Sequence, residues 1–176
     1  MAGHSKWAKL KHVKGKTDAQ KAKLFSKLVR FITVEVKKAK GDKNAPRVRT
    51  AVEKARAANM PTDNIQRALD KASGQGAELE SVMYEAYGPG GYALVIEAYT
   101  DNRNRTVQEL KHLLSLHGGT LANPGAAIWA FQKNAEGKLE ASMPVELSDE
   151  DAQKMAELSD ALEEHDDISE VYTSAA

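Results

Sequence analysis

The sequence predicts an α+β fold, a basic three-helix N-terminal domain followed by a ferredoxin-like antiparallel α/β sandwich. Three observations carry this prediction. Apolar residues recur at helical spacing up to residue 76, and the period becomes extended beyond it. Between the two stretches, Ser73-Gly74-Gln75-Gly76 reads as a linker. The charge reverses at the same place. Residues 1–76 hold 14 Lys and 5 Arg against 6 acidic residues, a net +13, whereas residues 77–176 hold 6 basic against 19 acidic residues, a net −13. The expected domains are therefore 1–76 and 77–176.

Each element follows from its own residues. Residues 1–17 carry Lys6, Lys9, Lys11, Lys14 and Lys16, interleaved with Trp7 and His12, and too few apolar anchors for a packed element. That composition predicts a basic arm that orders on contact with a partner. Leu24, Leu28, Ile32 and Val36, widened by Phe25 and Val29, form the stripe of a first helix over 18–40, with Lys21, Lys27, Arg30, Lys37 and Lys38 outside. Gly41-Asp42-Lys43-Asn44 ends it. Pro46 suits the first turn of a second helix, which carries Val48, Ala51, Val52 and Ala55 inward and stops at Asn59-Met60-Pro61. Thr62 reads as the N-cap of a third helix with Ile65, Ala68, Leu69 and Ala72 inside.

Past the linker, residues 82–87 and 92–100 read as strands joined by the tight Gly88-Pro89-Gly90-Gly91 turn. Residues 101–106 lead into a helix with Val107, Leu110, Leu113 and Leu114 inward, closed by Gly118-Gly119. Further strands are expected over 127–132 and 138–147. Ser148 caps a last helix bearing Ala152, Met155, Leu158 and Leu162, and residues 168–173 form the final strand. Two strand–helix–strand passages of this kind give the ferredoxin-like character, with the strand order left open.

The sequence offers little to a catalyst. It has no cysteine, no phosphate-cradling G-x-x-x-x-G-K-[ST], no H-E-x-x-H and no G-x-S-x-G, so no enzyme, cofactor, metal or small-molecule substrate is expected. His112 and His117 are five apart on one helix, out of ligand register. His165-Asp166-Asp167 reads as an exposed helix end where a histidine meets the helix dipole. No apolar run approaches the roughly 20 residues of a membrane span, and the first residues lack an apolar signal core. Together with the absence of cysteine, this predicts a cytoplasmic protein that needs no membrane.

A basic half beside an acidic half points to a polyanionic partner for the first. Lys and Arg neutralise phosphates and release counterions. Trp7 is placed either to stack on an unpaired base or to cover the helical core. Arg47, Arg49 and Arg56 on the second helix are spread around it, some toward phosphate and some toward solvent. Asn59-Met60-Pro61 and Asn64, beside Arg67 and Lys71, serve either turn chemistry or contact. Asn102-Arg103-Asn104-Arg105 is the one basic cluster of the acidic half, and a cap would use a single residue of it, so a second anion contact is the other reading.

Gly3-His4-Ser5-Lys6-Trp7-Ala8, Ala57-Ala58-Asn59-Met60-Pro61 with Asp63-Asn64-Ile65, Tyr87-Gly88-Pro89-Gly90-Gly91 and Thr100-Asp101-Asn102-Arg103-Asn104-Arg105-Thr106 together resemble the YebC/PmpR family. His117-Gly118-Gly119, Pro124-Gly125 and Trp129-Ala130-Phe131 extend the resemblance over nearly the whole chain. The family includes the mitochondrial translational activator of cytochrome c oxidase. The resemblance implies a helical basic domain followed by α/β domains. It implies one of two functions: a ribosome-associated translation factor that helps synthesis through proline-rich stretches, or a DNA-binding transcriptional regulator. An interaction adaptor working through the acidic domain is a third class. Carried over, Lys6, Trp7, Lys9, Lys11, His12 and Lys14 and the junction from Asn59 to Asn64 form the nucleic-acid surface. Members of the family usually carry a further α/β domain after Trp129-Ala130-Phe131, in chains of about 240 residues. Here residues 133–141 lead almost directly to the closing segment, the pattern of a short form without that domain.

Overall fold

In a computed structural model of the protein, which describes residues 17–74 and 79–176, five α-helices and a four-stranded sheet account for most of the chain. The fold is mixed α+β. Contacts divide the described residues into two compact units, one of residues from 17 to Val82 with Tyr99–Asp101, the other of Met83–Ala98 with Asn102–Ala176.

The helical unit is built on α1 (Asp18–Lys38), against which both α2 (Pro46–Ala57) and α3 (Thr62–Ser73) pack. Helix α1 starts at a capping box: Thr17 Oγ1 accepts from Gln20 N–H, and Gln20 Oε1 accepts from Thr17 N–H at 2.9 Å. Ile32 and Val36 of α1, Val48, Ala51 and Ala55 of α2, and Ile65, Ala68 and Ala72 of α3 form one buried cluster at positions that the periodicity turns inward, with Phe25, Leu28, Val29, Val52 and Leu69 partly buried against it. Small alanines at four of these positions let three short helices approach closely. In the same unit Arg30 donates to the Tyr99 carbonyl at 3.0 Å, and the Phe31 and Tyr99 rings stack 5.9 Å apart.

Next along the chain come β1 (Glu80–Tyr87) and β2 (Ala93–Thr100), joined by a tight turn in which Gly90 takes φ +80° and Gly91 N–H donates to Gly88 C=O at 3.0 Å. Gly88 starts that turn because nothing larger fits: a Cβ there would lie 2.1 Å from Tyr92 Cζ. Then follow α4 (Arg103–Leu116), β3 (Thr120–Ala122), a hairpin of β4 (Phe131–Lys133) and β5 (Leu139–Ala141), α5 (Asp149–Glu164) and β6 (Ile168–Thr173). The main sheet runs β3-β1-β2-β6, with β3 antiparallel to β1 and β6 antiparallel to β2. Central β2 is buried on both faces. Its Ala93 and Val95 pack with Ala127, Ala130, Phe131 and Leu139 of the hairpin region. Leu94 and Ile96 point the other way by strand alternation and are fully buried, as are Leu110 and Leu114 of α4 and Leu158 and Leu162 of α5.

Several local expectations are corrected. Thr62 is the first residue of α3 and Pro61 is its N-cap, with no side-chain cap. The strand expected over 127–132 is a 3₁₀ turn at Ile128–Ala130 followed by Phe131–Lys133 alone. The strand expected over 138–147 shortens to Leu139–Ala141, with Pro144 interrupting any longer ladder. Strand β3 is additional, three residues too few to show a period.

Candidate nucleic-acid interface

Lys6, Trp7, Lys9, Lys11, His12, Lys14 and Lys16 lie outside the described residues. The remaining candidates of the basic half sit on α2, α3 and the turn between them. On α2, Arg49 and Arg56 are seven residues apart and so share one face, two turns apart. Both are exposed, as is Arg67 on α3, and no ion pair holds any of the three among the described residues. Arg47 points elsewhere, its Nε lying 3.9 Å from Glu35. Glu53 shares the Arg49–Arg56 face and is also exposed. Lys54 is 4.9 Å from the Phe31 ring centroid, a cation–π contact inside the unit.

The turn after α2 resolves into backbone chemistry. Asn59 has φ +60°; its N–H donates to Arg56 C=O at 2.9 Å and that of Met60 to Ala55 C=O at 3.0 Å. This pair of bonds is a Schellman motif, in which asparagine tolerates the left-handed conformation. Met60 is buried in the helical core, whereas Asn59, Pro61, Thr62 and Asp63 of this junction are exposed and Asn64 is half-buried. Helix α3 is tied down at its far end, where Lys43 Nζ lies 2.7 Å from Asp70 Oδ1. The Lys43 and Gln66 hydrogen bonds hold the Asp70 carboxyl below its ordinary range.

The second cluster is divided by the fold. Asn102 caps α4, its side chain accepting from Arg105 N–H at 3.1 Å. Arg105 turns back to the buried Asp167: Nη2 reaches Asp167 Oδ2 at 2.6 Å, and Nε lies 3.7 Å from Glu109. Thr106 Oγ1 donates to the same Asp167 oxygen at 2.8 Å. Arg103 and Asn104 are exposed. The reading of His165-Asp166-Asp167 as an exposed helix end is thereby corrected, since Asp167 is a 3 % exposed anchor for the start of α4. His165 Nδ1 accepts from Asp167 N–H at 3.1 Å, which puts the proton of the neutral ring on Nε2, 2.9 Å from Glu109 Oε2. Glu109, His165 and Asp167 offer ligand atoms within 4.8 Å of one another. The Arg105 guanidinium already occupies the cation's place beside the shared Asp167 oxygen.

Sequence reasoning missed Glu85. It is 7 % exposed, and its carboxylate accepts N–H bonds from Gly125 at 2.6 Å, Ala127 at 2.7 Å and Ile128 at 2.8 Å. Burial pushes the carboxyl upward, but the three backbone donors outweigh it and hold the group below its ordinary range. The loop so gripped presents Trp129, 57 % exposed, with its indole N–H donating to Ala126 C=O at 2.7 Å and lying 3.3 Å from Tyr87 Oη. A glutamate forty residues away in sequence leaves no local signal for this.

Comparisons with known proteins meet this geometry. The family model described as the TACO1/YebC protein N-terminal domain matches residues 5–75, and that of the TACO1/YebC second and third domain matches 79–137 and 132–175. A protein of Petrotoga mobilis named "Probable transcriptional regulatory protein" is 52% identical over 136 residues, 76% of this chain and 54% of that one. One of the same name from Chlorobaculum parvum is 45% identical over 98% of this chain and 68% of its own. Another, from Chloroherpeton thalassium, is 37% identical along an alignment of 237 positions that takes in 99% of this chain and 95% of that protein. The chain spans about half the length of the first of these relatives. The crystal structure of a conserved hypothetical protein from Aquifex aeolicus superimposes with a TM-score of 0.87 at 32% identity, covering 97% of this chain and 96% of that one. The Chloroherpeton alignment is much longer than the 176 residues present here, and the second family model breaks at the β4–β5 hairpin. Both agree with a short form.

Proposed function

Because this chain belongs to the TACO1/YebC family, we propose that it is a regulatory protein, not an enzyme, that binds nucleic acid through its basic half in the cytoplasm. Its target is ribosomal RNA, and its role is to support elongation through proline-rich stretches. The observation that carries the reading is the concentration of charge. Nineteen of 25 basic residues fall in the first 76 positions, and Arg49, Arg56 and Arg67 stand exposed without ion pairs among the described residues. A folded RNA offers unpaired bases and phosphate pockets that suit a basic arm carrying Trp7.

The names of the relatives favour a second reading, a transcriptional regulator on duplex DNA. Against it stands α3, the third helix of the unit, which carries Asp63 and Asp70, the latter paired to Lys43. Asn64, Gln66 and Arg67 of α3 are of the types that read base edges, but Gln66 donates to Asp70 at 3.0 Å and both carboxylates would meet phosphate with repulsion.

Sucrose-gradient sedimentation of the tagged protein from lysate separates the two. Co-migration with ribosomes or subunits that survives DNase and is lost with RNase is expected. Charge reversal of Lys6, Lys9 and Lys11 removes that co-migration without unfolding the chain. On purified RNA it lowers the slope of log affinity against log salt by about 2, at roughly 0.7 per lost phosphate contact. Specific protection of a promoter in competitor DNA, with no ribosome association, would establish the transcriptional reading instead.

A further inference from the structure

Trp129 is held in an unusual way for an exposed tryptophan. Its one polar atom is turned inward, and more than half of the side chain remains in solvent. The loop beneath it is fixed by the three N–H bonds to Glu85. Met143, also 57 % exposed, lies on the segment paired next to it. Phe131 pairs with Ala141, and Ser142 N–H donates to Ala130 C=O at 2.8 Å, so the ladder brings the segments bearing Trp129 and Met143 side by side. A rigid Trp beside a Met is the composition of an interface centre rather than of a solvated loop.

The net charge of the half that carries it decides what covers it. Residues 77–176 carry a net −13, so a nucleic-acid strand stacking on the indole would bring its phosphates into a repulsive field. A cation on the ring face would be drawn by that field and by the aromatic quadrupole, and arginine is the cation that stacks best. Arg49 and Arg56 on α2 are arginines of that kind, exposed on one helix face and unpaired among the described residues. We propose that the Trp129–Met143 face of one copy docks the Arg49–Arg56 face of a second copy, head to tail. The two halves carry equal and opposite charge, and the chain as a whole carries none, so copies meet without net repulsion. The contact is heterologous, a different patch on each partner.

Sedimentation velocity on nuclease-treated full-length protein, free of absorbance from nucleic acid, tests this at about 0.1 M and about 1 M salt, where screening lengths are roughly 10 and 3 Å. The wild type is expected to associate with rising concentration at the lower salt and to dissociate at the higher. Trp129→Ala with Met143→Ser, and separately Arg49→Glu with Arg56→Glu, should each remain monomeric while keeping the wild-type circular dichroism. A mixture of the two variants should associate again, because each keeps the patch that the other lost. A wild type that stays monomeric at every concentration overturns the proposal, as does association that persists in either variant. Variants that are monomeric alone and still monomeric when mixed overturn the head-to-tail arrangement. Nucleic-acid binding is measured separately, so failure here leaves the proposed function untouched.

Discussion

Glu85 shows what one carboxylate contributes when backbone donors close on it. Three N–H groups at 2.6–2.8 Å compensate for burial, and charge-assisted bonds of this kind are roughly twice as strong as neutral ones. Replacement by Gln keeps the shape but loses the charge and one acceptor oxygen. Glu85→Gln should cost about 1–3 kcal/mol in a denaturant titration. The group's pKa is lowered on folding, so its contribution is complete above the unfolded value of roughly 4.3 and is lost as pH falls through the folded value. The difference between wild type and variant should therefore shrink on acidification, and a gap that stays constant into acid would refute the assignment. At this scale the sequence was partly legible. The exposed arginines were found from residue type and spacing. The anchors Glu85 and Asp167 were not, because each acts on residues forty or sixty positions away.

Among the elements, three helices end in the same way and differ in what they put at the left-handed position. After α1 it is Lys40, with φ +54°; after α2 it is Asn59; after α4 it is Gly118, with φ +76°. In each the following residue closes back on the helix, Gly41 on Val36 at 2.9 Å, Met60 on Ala55 at 3.0 Å, and Gly119 on Leu114 at 2.8 Å. Glycine is free at such a φ, asparagine tolerates it, and lysine is strained by about 1–2 kcal/mol. Part of that gain is offset by the greater freedom of glycine in the unfolded chain. Lys40→Gly should thus stabilise the protein by about 1 kcal/mol and raise Tm by about 2–4 °C; an unchanged or lower Tm would show that the strain is already relieved. Helices were legible because a four-residue apolar stripe persists over three or more turns. The final strand, Ile168–Thr173, was equally clear. Residues 120–147 were not, because their short strands are set by hairpin pairing and by the Glu85 grip rather than by local alternation.

For the whole molecule, the reversal of charge near residue 76 is the feature the sequence displays most openly. It organises both the nucleic-acid reading and the proposed self-association. Its strength as a signal comes from summing many residues, so that no single lysine has to be interpreted. The strand order β3-β1-β2-β6 could not be read in the same way, since pairing partners are decided by contacts distant along the chain. The turn of the β4–β5 hairpin carries a last consequence. Asn134 N–H donates to Lys138 C=O at 2.9 Å, and its side chain accepts from Glu136 and Lys138 N–H at 3.0 Å, so the chain leaves and re-enters the unit at nearly one point. The alignment with the Chloroherpeton relative runs to 237 positions against the 176 residues here. Such a turn is a splice point, where a folded passenger can be grafted between Ala135 and Glu136 at only a logarithmic entropic cost, about 0.6 kcal/mol for each doubling of loop length. A grafted chain should unfold close to the parent's denaturant midpoint, and a collapse of that midpoint would mean the turn is a keystone rather than a socket.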